Sequence, residues 1–241
     1  ETLGGIAWMY GVSLEQMLKI NPEVNPNAMS AGIQVLIPAE TVVPANQTPL
    51  PTAVNLPLEG LNCLPSAEEG VWCFAWVNNI TSTDFENIEV SFNVADMEAQ
   101  EVFSLQAGSA LNVVRSGEKI PVGVYFSAPM PQPFQFSAQF HAGIPLGMAG
   151  RYVETSVNEL VVSTNTSEDS AVVRGKINTP QGMKQVRIAA IALDGQGRIV
   201  GLRRMEKSFT ESITSTDFDF PVYAAGNSPI DQVIVLAEAQ P

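Results

Sequence analysis

Ile88-Glu89-Val90-Ser91-Phe92-Asn93-Val94 alternates apolar and polar residues without a break. A period of two puts Ile88, Val90, Phe92 and Val94 on one face of a β-strand and the polar residues on the other. The same period governs Val122, Val124 and Phe126, then Phe134, Phe136, Ala138 and Phe140. It returns in Val186, Ile188, Ala190 and Ala192, in Phe218, Phe220 and Val222, and in Val233, Val235 and Ala237. Clusters of Gly, Pro, Asn and Asp interrupt these runs. Short alternating strands with turn signals between them predict β-sandwich architecture.

The strands fall into two copies of one plan. In the first, Val71 to Asn78 closes on an asparagine, and Ile88 to Ala95 runs into a turn that starts at Asp96. In the second, Ala171 to Asn178 closes the same way, and Val186 to Leu193 runs into Asp194-Gly195-Gln196-Gly197. Asn78-to-Asp96 and Asn178-to-Asp194 differ only by a loop-sized amount. This order of strand, Asn, strand and Asp-turn is similar to FxLYD-type and related immunoglobulin-like domains of bacterial envelope proteins. A shared Ile-Thr-Ser-Thr-Asp-Phe at 80–85 and 213–218 falls in non-equivalent places and is treated as coincidence.

The only two cysteines, Cys63 and Cys73, stand at the entrance of the first copy, where the second carries Val162 and Val173. Apolar pairs at matching places imply adjacent strands. A Cys63–Cys73 disulfide is expected, with two buried thiols as the alternative. The bridge would indicate an oxidising compartment.

Composition limits the function classes. The chain has 241 residues, 45% of them apolar and 15% charged, which suffices for real cores. A net charge of −13 with only 12 Lys and Arg disfavours nucleic acid and anionic membrane surfaces, both of which need clustered basic residues. Arg203-Arg204 is the densest basic run. No apolar stretch approaches the ~20 residues of a membrane-spanning helix, so no membrane insertion is expected of this sequence. Residues 40–60, punctuated by Pro44, Pro49, Pro51 and Pro57 with almost no charge, read as a semi-rigid spacer.

The first forty residues differ in kind. Leu3, Ile6, Ala7 and Tyr10 recur at helical spacing behind Thr2, with Gly11 as the stop. Ser13 caps a second short helix with Leu14, Met17, Leu18 and Ile20 as its apolar face, ended by Asn21-Pro22. Gly32 to Pro38 reads as a strand. In order and spacing these residues resemble a LysM module, a βααβ domain that binds glycans containing N-acetylglucosamine. Glu1 and Ile33 depart from the family's usual residues, and the first strand of the plan falls before Glu1. The resemblance implies a shallow glycan groove. Glu1, Thr2, Leu3 and Gly4 would line one side, and Asn27, Ala28, Met29, Ser30, Ala31, Gly32 and Ile33 the other.

Catalytic chemistry finds little support. His141 is the only histidine and follows a Phe-rich strand, where a surface residue is expected. Glu68-Glu69 and Asp217/Asp219 lack an aromatic subsite for glycoside hydrolysis. Asp194-Gly195-Gln196-Gly197 lacks the further acidic ligands of a calcium loop and reads as a hairpin turn. Trp72 and Trp76 share one strand face and are expected in the core, an exposed sugar-stacking platform being the alternative. Asn46, Asn79 and Asn165 start glycosylation sequons.

The expected protein is therefore mainly β. A small α+β LysM module with its first strand missing (1–39) precedes a Pro-rich linker (40–60) and two tandem immunoglobulin-like sandwiches (61–150 and 151–241). Its expected role is non-catalytic glycan binding, to peptidoglycan or another N-acetylglucosamine polymer, outside the cytoplasm, without cofactor or metal. The sandwiches would act as spacers or meet an envelope protein partner. The alternative is a structural or adhesion protein acting through the sandwiches.

Overall fold

The computed structural model describes residues 14–22, 24, 35–37, 54–147 and 151–241. The chain divides into two compact units, Glu1–Thr52 and Ala53–Pro241.

In the first unit the described residues hold one helix, α1 (Leu14–Ile20), with Glu15 in its first turn and Lys19 in its last, each facing the helix-dipole end of opposite sign. Met17 is fully buried, whereas Leu18 on the predicted apolar face is exposed. Asn21 closes the helix: its Nδ2 donates to the Met17 carbonyl at 2.8 Å and to the Leu36 carbonyl at 2.9 Å. The Leu36 N–H donates back to Asn21 Oδ1 at 2.7 Å. Both main-chain groups that a strand would use at Leu36 are thus taken by one side chain, and Val35–Ile37 is not a strand. This corrects the expected α+β LysM module. The protein is nearly all β, α1 is the one short α-helix among the described residues, and the described part of the predicted closing strand joins no sheet among the described residues. The predicted first helix lies outside the described residues.

In the second unit every strand pairing is antiparallel, and one 3-10 turn, Ala225–Asn227, stands before the last strand. Its first half contains β1 (Leu58–Pro65), β2 (Val71–Asn78), β3 (Phe85–Asp96), β4 (Val102–Gly108), β5 (Val113–Val114), β6 (Lys119–Phe126) and β7 (Phe134–Pro145). One sheet has the order β1-β2-β6. In the other, β3 lies between β7 and an edge made of β4 and β5. The alternation of β3 has its predicted effect: Ile88, Val90, Phe92 and Val94 are all buried between the sheets. Leu56, at the end of the proline-punctuated stretch, is fully buried in the same core.

The second half contains β8 (Val153–Glu154), β9 (Ser156–Thr164), β10 (Ser170–Leu193), β11 (Ile199–Tyr223) and β12 (Gln232–Gln240). β10 and β11 form one long hairpin, paired from Ser170↔Tyr223 to Leu193↔Ile199 with register shifts between Asn178 and Gln185. The shifts coincide with Thr179-Pro180-Gln181-Gly182. Pro180 has no N–H for the ladder, and Gly182 adopts φ +98° in open space. The two halves of the hairpin contribute to one core: Val173, Phe218 and Phe220 from one, Ile188, Ala190 and Val200 from the other.

Strand partners repeat between the halves. β2 pairs with β1 and β6, as residues 171–178 of β10 pair with β9 and the end of β11. β3 pairs with β4 and β7, as residues 185–193 of β10 pair with the start of β11 and with β12. Cys63 opposes Cys73 where Val162 opposes Val173. The difference lies at the corners: loop 79–84 separates β2 from β3, whereas β10 runs on through its bend.

The two halves are packed together. Along β10, Ile188, Ala190 and Ala192 enter the second core, while Ala189, Ile191 and Leu193 enter the first. Every residue from Ile188 to Leu193 is buried. An unbroken apolar run is the sequence signature of a strand covered on both faces. The alternation expected here misread it, because only Arg187 supplies a polar residue. Polar groups complete the join. Asn62 Nδ2 donates to the Ile199 carbonyl at 2.9 Å. Glu238 accepts from the Asn112 N–H at 2.6 Å, from Asn112 Nδ2 at 2.5 Å and from the Val113 N–H at 3.3 Å. Arg187 binds Asn112 Oδ1 from the other side.

Candidate ligand-binding groove at Trp72

Pairing of β1 with β2 turns Val71, Cys73, Ala75 and Val77 inward, and all four are buried. Trp72 and Trp76 therefore take the outward face. This corrects the expected place of Trp72 in the core, whereas Trp76 is half-buried and packs against the first core. Phe74, between them, is also outward but buried, because Leu202 of β11 packs over it next to Gly123. A Cβ on Gly123 would meet Phe74 at 2.7 Å, so this contact requires glycine.

Trp72 lies at the margin of that covered face and is 38% exposed. Its indole is parallel to the Phe74 ring at 5.8 Å and is backed by its register partner Tyr125 at 5.1 Å. The Tyr125 hydroxyl is in turn fixed by Ser66 Oγ at 3.1 Å. Gly70 admits this arrangement, since a Cβ there would lie 2.3 Å from the Tyr125 oxygen. A neighbouring surface comes from the second half. Tyr223 at the end of β11 is 59% exposed, and the Arg203 guanidinium lies 6.0 Å from its ring centre. Gly201 lets the two ends of β11 meet, because a Cβ there would lie 2.2 Å from the Tyr223 carbonyl oxygen.

Two hollows adjoin Trp72. The smaller, about 170 Å³, is bounded by Trp72, Tyr223 and Arg203. The larger, about 330 Å³, is bounded by Trp72, Ser109 and Arg204. Phe74 and Leu202 form the floor common to both. Arg115, Lys119, Arg151, Arg174, Arg187 and Arg198 are all ion-paired. Among the described residues, Arg203 and Arg204 have no such partner, and nor do Lys19, Lys176, Lys184 and Lys207; of these six, only the two arginines line the Trp72 hollows. Two uncompensated guanidinium groups thus flank an aromatic wall on a chain of net charge −13.

A separate cleft of about 550 Å³ lies between the halves, with Arg115, Glu118 and Glu154 on its walls. Arg115 pairs with Asp84 at 3.3 Å and Glu154 at 3.8 Å. Burial, and secondarily the neighbouring Glu154 charge, raises the Glu118 carboxyl above the usual range. Burial likewise raises that of Glu238, against the opposing hydrogen bonds of Asn112 and the charge of Arg187.

The glycan-groove residues implied by the LysM resemblance, Glu1 to Gly4 and Asn27 to Ile33, all lie outside the described residues. Cys63 and Cys73 are joined in a disulfide, directly across β1 and β2. His141 is exposed on β7, 3.1 Å from Gln106 Nε2. Asp219 is spent on Arg174 at 2.8 Å. Asp194 forms a hairpin turn, its carboxylate receiving the Gln196 and Arg198 N–H groups at 2.9 Å each and the Arg198 guanidinium at 2.7 Å. Burial alone would raise this carboxyl, but those bonds outweigh it and hold the carboxyl below the usual range. Among the described residues no group of three or more His, Cys, Asp and Glu side chains is placed to hold a metal. The Asn79 sequon is closed, since its fully buried amide donates to the Thr83 and Val114 carbonyls.

No protein-family model matches the chain, which removes the LysM and FxLYD resemblances as an identification. No curated protein matches it either. Among solved structures, it is similar to a crystal structure described as a "putative secreted protein" from Parabacteroides distasonis. Identity is 10%, coverage is 80% of this chain and 90% of that one, and the TM-score of 0.17 is too low to bear on fold or function.

Nothing in the sequence singled out Tyr223, Tyr125 or Leu202. The signals that existed were the Arg203-Arg204 run and the odd-residue burial that Cys73 imposes on β2.

Proposed function

We propose that the protein is a non-catalytic, extracytoplasmic saccharide-binding protein that works through its β-sandwich unit. The observation that carries this reading is the Trp72 groove: an exposed indole held rigid by Phe74 and Tyr125, bordered by donor groups and two free guanidinium groups. Sugar rings present apolar C–H faces that stack on such a surface, while their hydroxyls accept from the donors at its rim. The Cys63–Cys73 disulfide supports a location outside the reducing cytoplasm. The repeated strand partners support reading both halves as immunoglobulin-like sandwiches. Peptidoglycan heads the set of envelope glycans to test. Retention on purified peptidoglycan and on a panel of extracellular polysaccharides, compared with Trp72→Ala, tests the reading. Loss of retention in the variant is expected, and equal retention by both proteins, or none by either, sinks it.

A second reading, adhesion by protein contact, is favoured by edge strand β4. Val102 and Phe103 there are 62% and 50% exposed, and such an edge invites strand addition. Charged substitutions at both positions would weaken capture of an envelope protein partner without affecting saccharide retention.

A further inference from the structure

We propose that the groove takes an acidic saccharide, one whose sugar unit carries a carboxylate, with the ring on Trp72 and the acid group met by Arg203 or Arg204. The proposal rests on the saccharide reading above and specifies its ligand. Three observations carry it. Trp72 shares one hollow with Arg203 and the other with Arg204, so a stacked ring and its charge would belong to the same sugar unit. The two arginines are exposed and, among the described residues, have no acidic partner to displace. The arginines also stand against the trend of a strongly acidic chain and lie next to an aromatic wall, so the groove pairs a stacking surface with complementarity to an anion.

The geometry suits a carboxylate on a ring better than a neutral sugar. A guanidinium donates in a planar fork that matches the two carboxylate oxygens. The Arg203 group already lies near the Tyr223 face, where its orientation is restricted before any ligand arrives. Such a carboxylate comes from hexuronic acids or from the lactyl group of N-acetylmuramic acid, and the shared chemistry is a pyranose ring with an attached acid.

Titration calorimetry on the full chain tests this with four probes: tetragalacturonate and neutral galactotetraose, the N-acetylglucosaminyl-N-acetylmuramic acid disaccharide and neutral chitobiose. At least one acidic probe should bind about tenfold more tightly than its neutral counterpart, and which one does identifies the source. The Arg203→Gln/Arg204→Gln double variant should bind acidic and neutral probes alike, and added salt should likewise reduce the preference. Equal binding of acidic and neutral probes by the natural protein, or a preference that survives the double variant, overturns the acidic specificity and leaves the saccharide reading intact. Failure of all four probes overturns both. Because both arginines are exposed, their replacement tests charge without disturbing a core.

Discussion

Ile191→Ala tests whether the two halves of the β unit behave as one body. Ile191 is fully buried and stands in a row across its sheet, opposite Leu202 on one neighbour and Ile234 on the other. All three face the first core, although all three belong to the second half. Truncation to alanine removes three carbons, about 2.4 kcal/mol of transfer free energy at roughly 0.8 kcal/mol per methylene. The cavity left between two sheets that cannot fully collapse brings the cost to about 3 kcal/mol, within the range for such core truncations. Trp72 and Trp76 belong to the first half, so with Trp8 replaced by Phe in every protein compared, tryptophan fluorescence during urea unfolding reports on a region that the mutation touches only through the join. The tryptophan-reported stability should fall by about 3 kcal/mol, as for Ile188→Ala on the opposite face of the same strand. A tryptophan-reported shift of less than about 0.5 kcal/mol for both variants would show that the halves unfold independently.

Removing the Cys63–Cys73 bridge by double alanine substitution should lower stability by about 2.7 kcal/mol, the loop-entropy value for so short a closure, and thiol titration of the native protein should find no free cysteine. Glu238 should impose a pH dependence of defined sign. Its carboxyl is raised from 4.5 by burial, so its contribution to stability is full below that value and is lost as pH rises through the raised one. Against Glu238→Gln as reference, the natural protein should gain stability on acidification from neutral pH toward 4.5, and a constant or opposite difference in pH-resolved urea unfolding would refute the assignment.

The β character of the chain was legible because burial on one face leaves a period of two, and Ile88 to Val94 shows it plainly. The duplication was legible for a related reason. Asn78 and Asn178, and Asp96 and Asp194, stand where strands must turn, and turn chemistry is local. Asp194 shows how local it is: its carboxylate takes two main-chain N–H groups within four residues. The groove was not legible, because its members come from β2, β6 and both ends of β11, and only the bend at Pro180 and Gly182 returns Tyr223 to Gly201. Trp72 was misassigned since a strand carrying Val71, Trp72, Cys73, Phe74, Ala75, Trp76 and Val77 has no polar face. Only pairing with β1, fixed by Cys63 opposite Cys73, decides which set turns inward.

That absence of a polar face is itself the link between fold and proposed function. A sandwich standing alone has no use for Phe74 on its outer surface, and a sheet standing alone has none for Ala189, Ile191 and Leu193. Each becomes intelligible once the halves are joined, because each covers the other. Covering stops at the margin, where Trp72 is left partly bare beside Arg203 and Arg204. A flexible string of two domains would place these groups on surfaces that move relative to one another, and a ligand would have to restrict that motion on binding. In the fused unit the indole, its backing rings and the neighbouring β11 strand are fixed before a ligand arrives, which lowers the ordering cost of binding. The apolar join thus does for the groove what an extended interdomain linker would prevent.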